Sequence, residues 1–307
     1  MSQHKPFIEV IVCPYTQICT IPNLEPIDRK FSQCMVLDFE DGLWRIDDFM
    51  NYIWDNISDT ALTSSERIAL GERPSSLLSK AAKNLRISEN DKDGGEIAEI
   101  LLYAIMRHYY NALPVVPKIF YKQSVNMYAN GADSVHIVLD DSDAGFSLWL
   151  GEAKFYDSIE DNRLNSIVQS VYNTLSTEKI KKENAIIVGV NELSTFDIPE
   201  TTLLNITSLL NNETSIDKIK PLLHVPILLL HECDITARAR AINEEYMANI
   251  ENYYKDRINS YFKKQIAKCA NSVYLYSKIY FHLIIVPVPQ KSEIVERFIR
   301  RANIYRE

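Results

Sequence analysis

The chain has 307 residues, of which 46% are hydrophobic, 24% are charged and 8 are glycine, as in a globular protein of one large domain or two smaller ones. Its formal net charge of −8 at pH 7 argues against a protein that grips DNA through a basic surface of its own. No apolar stretch is long enough to cross a bilayer, and "MSQHKPFIEV" lacks the basic-then-apolar order of a signal peptide. We therefore expect no membrane association.

The cysteines indicate a reducing compartment. They are odd in number and scattered, without a C-x-x-C pair, at Cys13, Cys19, Cys34, Cys233 and Cys269. This spacing argues against a disulfide framework or a zinc site and favours the cytoplasm.

The first 90 residues predict an accessory α/β region. "PFIEVIVC" and "CMVLDF" are typical of strands, whereas "RIDDFMNYIWDNI" and "RPSSLLSKAAKNL" have apolar residues at helical spacing. The polar stretch "RISENDKDGG" at 86–95 is the best candidate boundary. We therefore predict two parts, 1–90 and 91–307.

The second part predicts an α-β-β-β-α-β order. A helix, "EIAEILLYAIMRHYYNAL", precedes three predicted strands, "KIFYKQS", "DSVHIVLD" and "GFSLWLGEAKFY". The last two strands flank "DDSDAG", a hairpin turn. A helix, "SIEDNRLNSIVQSVYNTL", and a strand, "NAIIVGV", complete the order. Strands at "VPILLLHEC" and "KIYFHLIIVPVP", a long helix from Thr236 to Lys268 and a basic terminal helix are predicted beyond it.

The strand "FSLWLGEAKFY" ends in two opposite charges on one face. Glu152 and Lys154 are two positions apart, so strand geometry points both to the same side. Acid-x-base triples also occur by chance, as in "DRK" and "DNR", but those do not close a buried strand. A charge buried there needs compensation, either from an ion pair or from a bound cation.

A third charged residue, Asp133, opens the neighbouring strand across the hairpin. Asp133 and Glu152 are equally far from the turn centre, so antiparallel pairing brings the two carboxylates together. Such a pair repels unless it holds a proton or a cation. Mg²⁺ prefers hard oxygen ligands, to which the Ala153 carbonyl adds one, and Lys154 is suited to activating water or neutralising charge on a phosphate. The alternative is a structural ion pair that caps the strand.

A third carboxylate is expected from the preceding helix. Glu96 and Glu99 lie about one turn apart, and Glu96 is explained by its place in the first turn, where it interacts favourably with the helix dipole. Glu99 is therefore the preferred catalytic candidate.

The candidate site residues and their order along the chain resemble those of a known family of proteins. A helix with Glu99, then Asp133 and the Glu-x-Lys of 152–154 across a hairpin, resembles the PD-(D/E)xK nuclease superfamily over residues 95–190. "GGEIAEILLYAIM", "YANGADSVHI" and "LWLGEAKFY" resemble, more narrowly, the HamA family, the nuclease subunit of the Hachiman anti-phage defence system.

The resemblance implies an α/β fold with a restriction-endonuclease-like core, in which a mixed sheet is flanked by helices, with an N-terminal α/β extension and C-terminal helices. It also implies a Mg²⁺-dependent DNA nuclease, with Mn²⁺ as a substitute metal, that works with a helicase partner, HamB. Asp133, Glu152 and Lys154 take the catalytic positions. One departure exists: Tyr172 lies one position too early after Gln169 for the Gln-x-x-x-Tyr of RecB-like relatives, so the tyrosine is not carried over.

The helix after the hairpin has a neutral polar stripe suited to DNA. Ser166 and Gln169 lie on it with Asn162 and Asn173, and such side chains suit contacts with phosphates and groove edges. The alternative is a solvated face. The lysines at 179, 181 and 182 are likewise either solvated surface or a local foothold for DNA.

Other candidates have simpler explanations. His136 fits a packed strand residue, and His231 lies in a sequential cluster that alternates faces, so neither is expected to bind metal. No Walker-type loop is present, which argues against a bound nucleotide cofactor. Two rival functions stay open: a non-catalytic subunit that binds DNA or a helicase through a vestigial nuclease fold, and a junction resolvase.

Overall fold

The computed structural model describes residues 5–14, 29–87, 93–122, 131–140, 145–189 and 191–307. Its strands are β1 Phe7–Pro14, β2 Lys30–Leu37, β3 Phe39–Glu40, β4 Leu43–Trp44, β5 Leu113–Pro114, β6 Ser134–Leu139, β7 Phe146–Tyr156, β8 Leu223–Glu232 and β9 Tyr280–Val288. Its helices are α1 Ile46–Asp55, α2 Ile57–Ala61, α3 Ser64–Leu70, α4 Pro74–Lys83, α5 Gly95–Tyr109, α6 Lys118–Lys122, α7 Asp161–Thr174, α8 Thr177–Gly189, α9 Glu200–Leu209, α10 Ile216–Ile219, α11 Asp234–Arg238, α12 Glu244–Cys269 and α13 Lys291–Arg306.

A mixed sheet organises the described residues, in the order β1-β2-β9-β8-β7-β6-β5. The central strands β2, β9, β8 and β7 run parallel, and antiparallel pairs extend the sheet at both edges. Parallel strands need helical crossovers, which cover both faces of the sheet. Of the strands before residue 90, β1 and β2 therefore belong to the same sheet as the later strands, whereas β3 and β4 pair with each other in a separate two-stranded sheet.

The core lies in two layers, one on each face of the sheet. On β7, Leu148 and Leu150 pack into one layer with apolar residues of α7, α8 and α12. Trp149 and Ala153 pack into the other layer with α1, α5 and α13. This alternation follows from the two-residue period of a strand and explains why β7 is buried along most of its length.

The hairpin of β6 and β7 confirms the predicted register. Ser134 pairs with Gly151, and Leu139 pairs with Phe146. The backbone N–H of Asp140 donates to the carbonyl of Gly145 over 3.0 Å, and residues 141–144 at the tip of "DDSDAG" lie outside the described residues.

Two predicted strands are helices. "KIFYKQS" forms α6 where it is described, and "NAIIVGV" forms the end of α8. In α8, Ile180, Glu183 and Ile187 are buried at helical spacing. A short apolar run is compatible with a buried strand or a buried helix turn, and here the longer helical period decides.

The long predicted helix is shorter than expected at its start. It begins at Glu244, after the separate short helix α11, and the side chain of Asn243 caps it by accepting a hydrogen bond from the backbone N–H of Tyr246 over 2.8 Å. The predicted strands β1, β2, β8 and β9 and the predicted helices α1, α4, α5, α7 and α13 are confirmed.

The structure bears on the expectations for the cysteines and for membrane-spanning helices. Cys34, Cys233 and Cys269 are buried free thiols, whereas Cys19 and the side chain of Cys13 lie outside the description. Within the described ranges, no helix has both the length and the apolar character needed to cross a membrane.

Candidate functional site

The candidate site lies where β6 begins and β7 continues past it. The backbone N–H of Asp133 donates to the carbonyl of Gly151 over 2.8 Å, although Gly151 is the register partner of Ser134. The N–H of Ala153 then donates to the Asp133 carboxylate, at 3.0 Å from Oδ2. Asp133 is therefore fixed opposite Glu152, as the sequence predicts.

Lys154 joins the same carboxylate. Its Nζ lies 3.6 Å from Oδ2 of Asp133, and its side chain is 32% exposed. Burial alone would lower the pKa of the Lys154 ammonium, but the charges of Asp133 and Glu152 outweigh burial and raise that pKa. Lys154 is thus a cation at neutral pH, held beside two acids and open to solvent.

Glu152 is the buried member of the group, with 5% of its surface exposed. The hydroxyl of Thr174 on α7 donates a hydrogen bond to its Oε1. Burial raises the pKa of Glu152 to about 7, and the negative charge of Asp133 adds to this effect. The Thr174 hydroxyl and then the Lys154 charge oppose the shift.

This arrangement fits a hard divalent cation. A carboxyl whose pKa is raised by burial and by a neighbouring carboxylate is neutralised by a proton or by a cation, and Mg²⁺ binds one or two carboxylates while keeping several waters. The N–H and carbonyl of a strand residue point to the same side, so the Ala153 carbonyl also faces Asp133. Among the residues that the structure describes, no three His, Cys, Asp or Glu side chains gather into a metal cage. An ion here would therefore combine Asp133, Glu152, a backbone oxygen and water.

Glu99 acts on this group through its charge on Lys154. It is half-buried on α5, which packs on the opposite face of the sheet from Glu152. Its charge raises the pKa of Lys154 less than the charges of Asp133 and Glu152 do. Glu96, the candidate set aside, accepts a hydrogen bond from the backbone N–H of Arg86 over 2.7 Å. The structure brings Asp133, Glu152 and Lys154 together and leaves Glu99 as an electrostatic neighbour.

The polar stripe of α7 faces solvent. Ser166 and Gln169 are exposed, and the Gln169 amide donates to Oδ1 of Asn173 over 2.8 Å. The opposite face of α7, with Leu164, Ile167 and neighbouring aliphatic residues, is buried. This placement fits a DNA-facing surface and a solvated face equally well.

Thr174 is a site residue that sequence reasoning missed. It is 1% exposed and lies on the apolar face of α7. A hydroxyl at a core position needs a buried partner, so a threonine in an otherwise aliphatic stripe was the available signal.

A second missed group holds the chain just before Asp133. Lys118 Nζ lies 2.7 and 2.6 Å from the two carboxylate oxygens of Glu183, and both side chains are buried. The backbone N–H of Ala132 donates to the same carboxylate over 2.8 Å. Because Ala132 precedes Asp133, this buried ion pair anchors the segment that presents the catalytic candidate. The sequence analysis missed this ion pair because it predicted a strand for "KIFYKQS", the segment that begins with Lys118.

His136 is a packed core residue, as predicted, and His231 is buried as well. His136 lies against the Tyr103 ring at 4.9 Å between centroids, and burial lowers its pKa to about 3. His231 forms a 2.8 Å hydrogen bond between Nε2 and the hydroxyl of Tyr254.

Fold and site together define a helix-flanked mixed α/β protein with an acid pair and a lysine at one strand end. The HamA family model matches residues 13–302, nearly the whole chain, and the chain belongs to the HamA family. A role in anti-phage defence follows from this membership. A comparison with curated proteins gave no match.

Proposed function

We propose that this HamA protein is a metal-dependent DNA nuclease that hydrolyses phosphodiester bonds under the control of a helicase partner. The observation that supports the proposal most strongly is the convergence of Asp133, Glu152 and Lys154, three charged groups from two strands, at one partly open strand end.

Asp133 and Glu152 would hold the Mg²⁺ or Mn²⁺ ion, with the Ala153 carbonyl as a further ligand. When bound, the ion supplies a Lewis acid for a phosphate oxygen and lowers the pKa of the attacking water. Thr174 orients the Glu152 carboxylate through its hydrogen bond.

Lys154 acts on the reacting phosphate. As water attacks phosphorus and the bond to the leaving oxygen breaks, negative charge builds on the phosphate oxygens. An ammonium fixed by Asp133 stabilises that charge without reorganising. Loss of the lysine therefore reduces the rate more than it reduces DNA binding.

A restriction-endonuclease-like core is the fold that we infer for this activity. The order α5, β5, β6, β7, α7 and β8 supports it, with β8 parallel to β7. The first and last strands of this order are β5 and β8 rather than the two segments predicted from the sequence, and α8, α9 and α10 are inserted before β8.

The test is cleavage of plasmid DNA by the chain, alone and with its helicase, in Mg²⁺ or EDTA. We expect cutting in Mg²⁺ that is lost in EDTA and in Glu152→Ala and Lys154→Ala, while both variants keep a melting temperature close to that of the parent. Lys181→Ala, an exposed lysine on α8, is the matched control and should cut normally.

The second candidate is a non-catalytic subunit that binds DNA or a helicase. The Asp133–Lys154 contact favours it, because that pair partly compensates the site without any ion. This function predicts no cutting under any condition and a sharp fall in melting temperature for Lys154→Ala, which leaves two acids unbalanced.

A further inference from the structure

A cavity of about 540 Å³ lies beside the candidate site, on the face of the sheet that Glu152 occupies. It is an open cavity bordered by the end of α7, the start of α8, Lys220 and the segment that follows α12. Its lining residues are Tyr172, Asn173, Leu175, Ser176, Thr177, Lys179, Lys220, Ser272, Val273 and Tyr274.

The cavity is cationic in an acidic protein. Lys220 lines it although its side chain is only 6% exposed, and its Nζ lies 3.5 Å from Asp217 Oδ1 at the rim. Lys179 also lines the cavity, and the Lys268 Nζ lies 4.8 Å from the ring centroid of Tyr172, another lining residue. Asp217 compensates Lys220, but among the described residues two lysines and no carboxylate line the cavity, so it is suited to a negatively charged ligand.

An exposed aromatic ring stands at the cavity. Tyr274 is 70% exposed, and the Lys220 Nζ lies 5.5 Å from its ring centroid. Hydroxyl groups of Ser176, Thr177 and Ser272 surround the same space. Ammonium and hydroxyl donors beside a free ring match a phosphate linked to a planar base, because bases stack on aromatic side chains whatever their sequence.

The cavity adjoins the candidate site directly. Asn173 and Leu175, which line it, flank Thr174, whose hydroxyl bonds Glu152. The charge of Lys179 also acts on Glu152, opposing the rise in its pKa. The last turn of α7 and the residue after it therefore contact both the cavity and Glu152.

We propose that this cavity binds a phosphodiester of single-stranded DNA, with the adjoining base on Tyr274, next to the bond that is cut. This inference rests on the proposed nuclease function and names a subsite for its substrate. The other basic side chains of α8 have no part in it.

The test is fluorescence anisotropy with a labelled thymidine oligonucleotide of about twelve residues, in EDTA and low salt, using the full chain. We expect Lys179→Ala and Tyr274→Ala each to weaken binding about fivefold to tenfold. Lys179→Ala should also reduce the slope of log affinity against log salt by about 0.7, the value for one phosphate contact of a single strand.

Two control variants distinguish binding at the cavity from nonspecific attraction of DNA to positive charge. Lys181→Ala removes an exposed lysine of α8 that does not line the cavity and should change affinity less than twofold. Tyr274→Phe keeps the ring and should bind like the parent. Equal effects of Lys179→Ala and Lys181→Ala, unchanged affinity in Tyr274→Ala, or no measurable binding by the parent chain would each overturn the proposal.

The two proposals fail in different ways. Binding that depends on Lys179 and Tyr274, without cleavage in Mg²⁺, supports the subsite and contradicts the nuclease. Cleavage in Mg²⁺ with all cavity variants binding and cutting like the parent supports the nuclease and overturns the subsite.

Discussion

Glu152 is a buried carboxyl whose environment raises its pKa to about 7. Its neighbours divide into two groups: burial and the Asp133 charge favour the protonated form, and Thr174 and Lys154 favour the ionised form. Because the balance lies at a pKa of about 7, small changes at this site alter its charge at physiological pH.

Stability without divalent ions should therefore depend on pH through Glu152. Its folded pKa of about 7 exceeds the ordinary value, so the native state binds more protons than the unfolded state between about pH 4.3 and 7. Stability is lost as pH rises through 7. Glu152→Gln removes the buried charge and should be more stable than the parent at about pH 8 by roughly 1–3 kcal/mol, with the difference fading towards pH 5. Thermal melts in EDTA measure this, and a variant less stable at pH 8 would contradict it.

Thr174 should tune metal affinity through Glu152. Thr174→Val keeps the shape but removes the hydrogen bond, which raises the pKa of Glu152 and makes the bound proton harder to displace. We expect Mg²⁺ affinity to fall about tenfold at neutral pH and to recover at higher pH. Thr174→Ser keeps the hydroxyl and is the control. Calorimetric titration with Mg²⁺ measures both, and equal affinities for the two variants would refute this role.

At the scale of elements, α6 and α8 hold the approach to β6. Glu183 joins Lys118 of α6 to the backbone of Ala132, one residue before Asp133. A side chain at Gly131 would contact the Glu183 carboxylate, so glycine is needed there for close approach.

Breaking this anchor should cost stability. Glu183→Gln leaves the Lys118 ammonium buried and unbalanced, and we expect a loss of about 3–5 kcal/mol in the free energy of unfolding. Glu178→Gln, on the exposed face of the same helix, should change it by less than about 0.5 kcal/mol. Urea unfolding measures both, and a loss under 1 kcal/mol for Glu183→Gln would show that the pair is not an anchor.

The elements also show what the sequence could predict. The β6–β7 hairpin followed from local turn chemistry and equal spacing, which sufficed to place Asp133 opposite Glu152. The helix at "NAIIVGV" could not be predicted from the sequence, because its apolar run fits a buried strand as well as a buried helix. The parallel pairing of β7 with β8 joins segments some 75 residues apart, and such long-range pairing leaves no local signal.

At the scale of the whole molecule, the net charge of −8 opposes binding to DNA. With this net charge, the isolated chain should bind duplex DNA weakly at physiological salt, with a dissociation constant in the micromolar range or above. Weak binding would keep the proposed nuclease inactive until a helicase partner delivers it to DNA. Anisotropy with labelled duplex DNA measures the affinity, and a nanomolar dissociation constant would contradict this account.

The central claim is that Asp133 and Glu152 share one divalent ion beside Lys154. The most direct measurement is the anomalous diffraction of a crystal grown above pH 7 with Mn²⁺. The account predicts one anomalous peak within about 2.0–2.6 Å of an oxygen from each carboxylate, absent in Glu152→Gln. No peak at saturating Mn²⁺, with Lys154 still paired to Asp133, would contradict it.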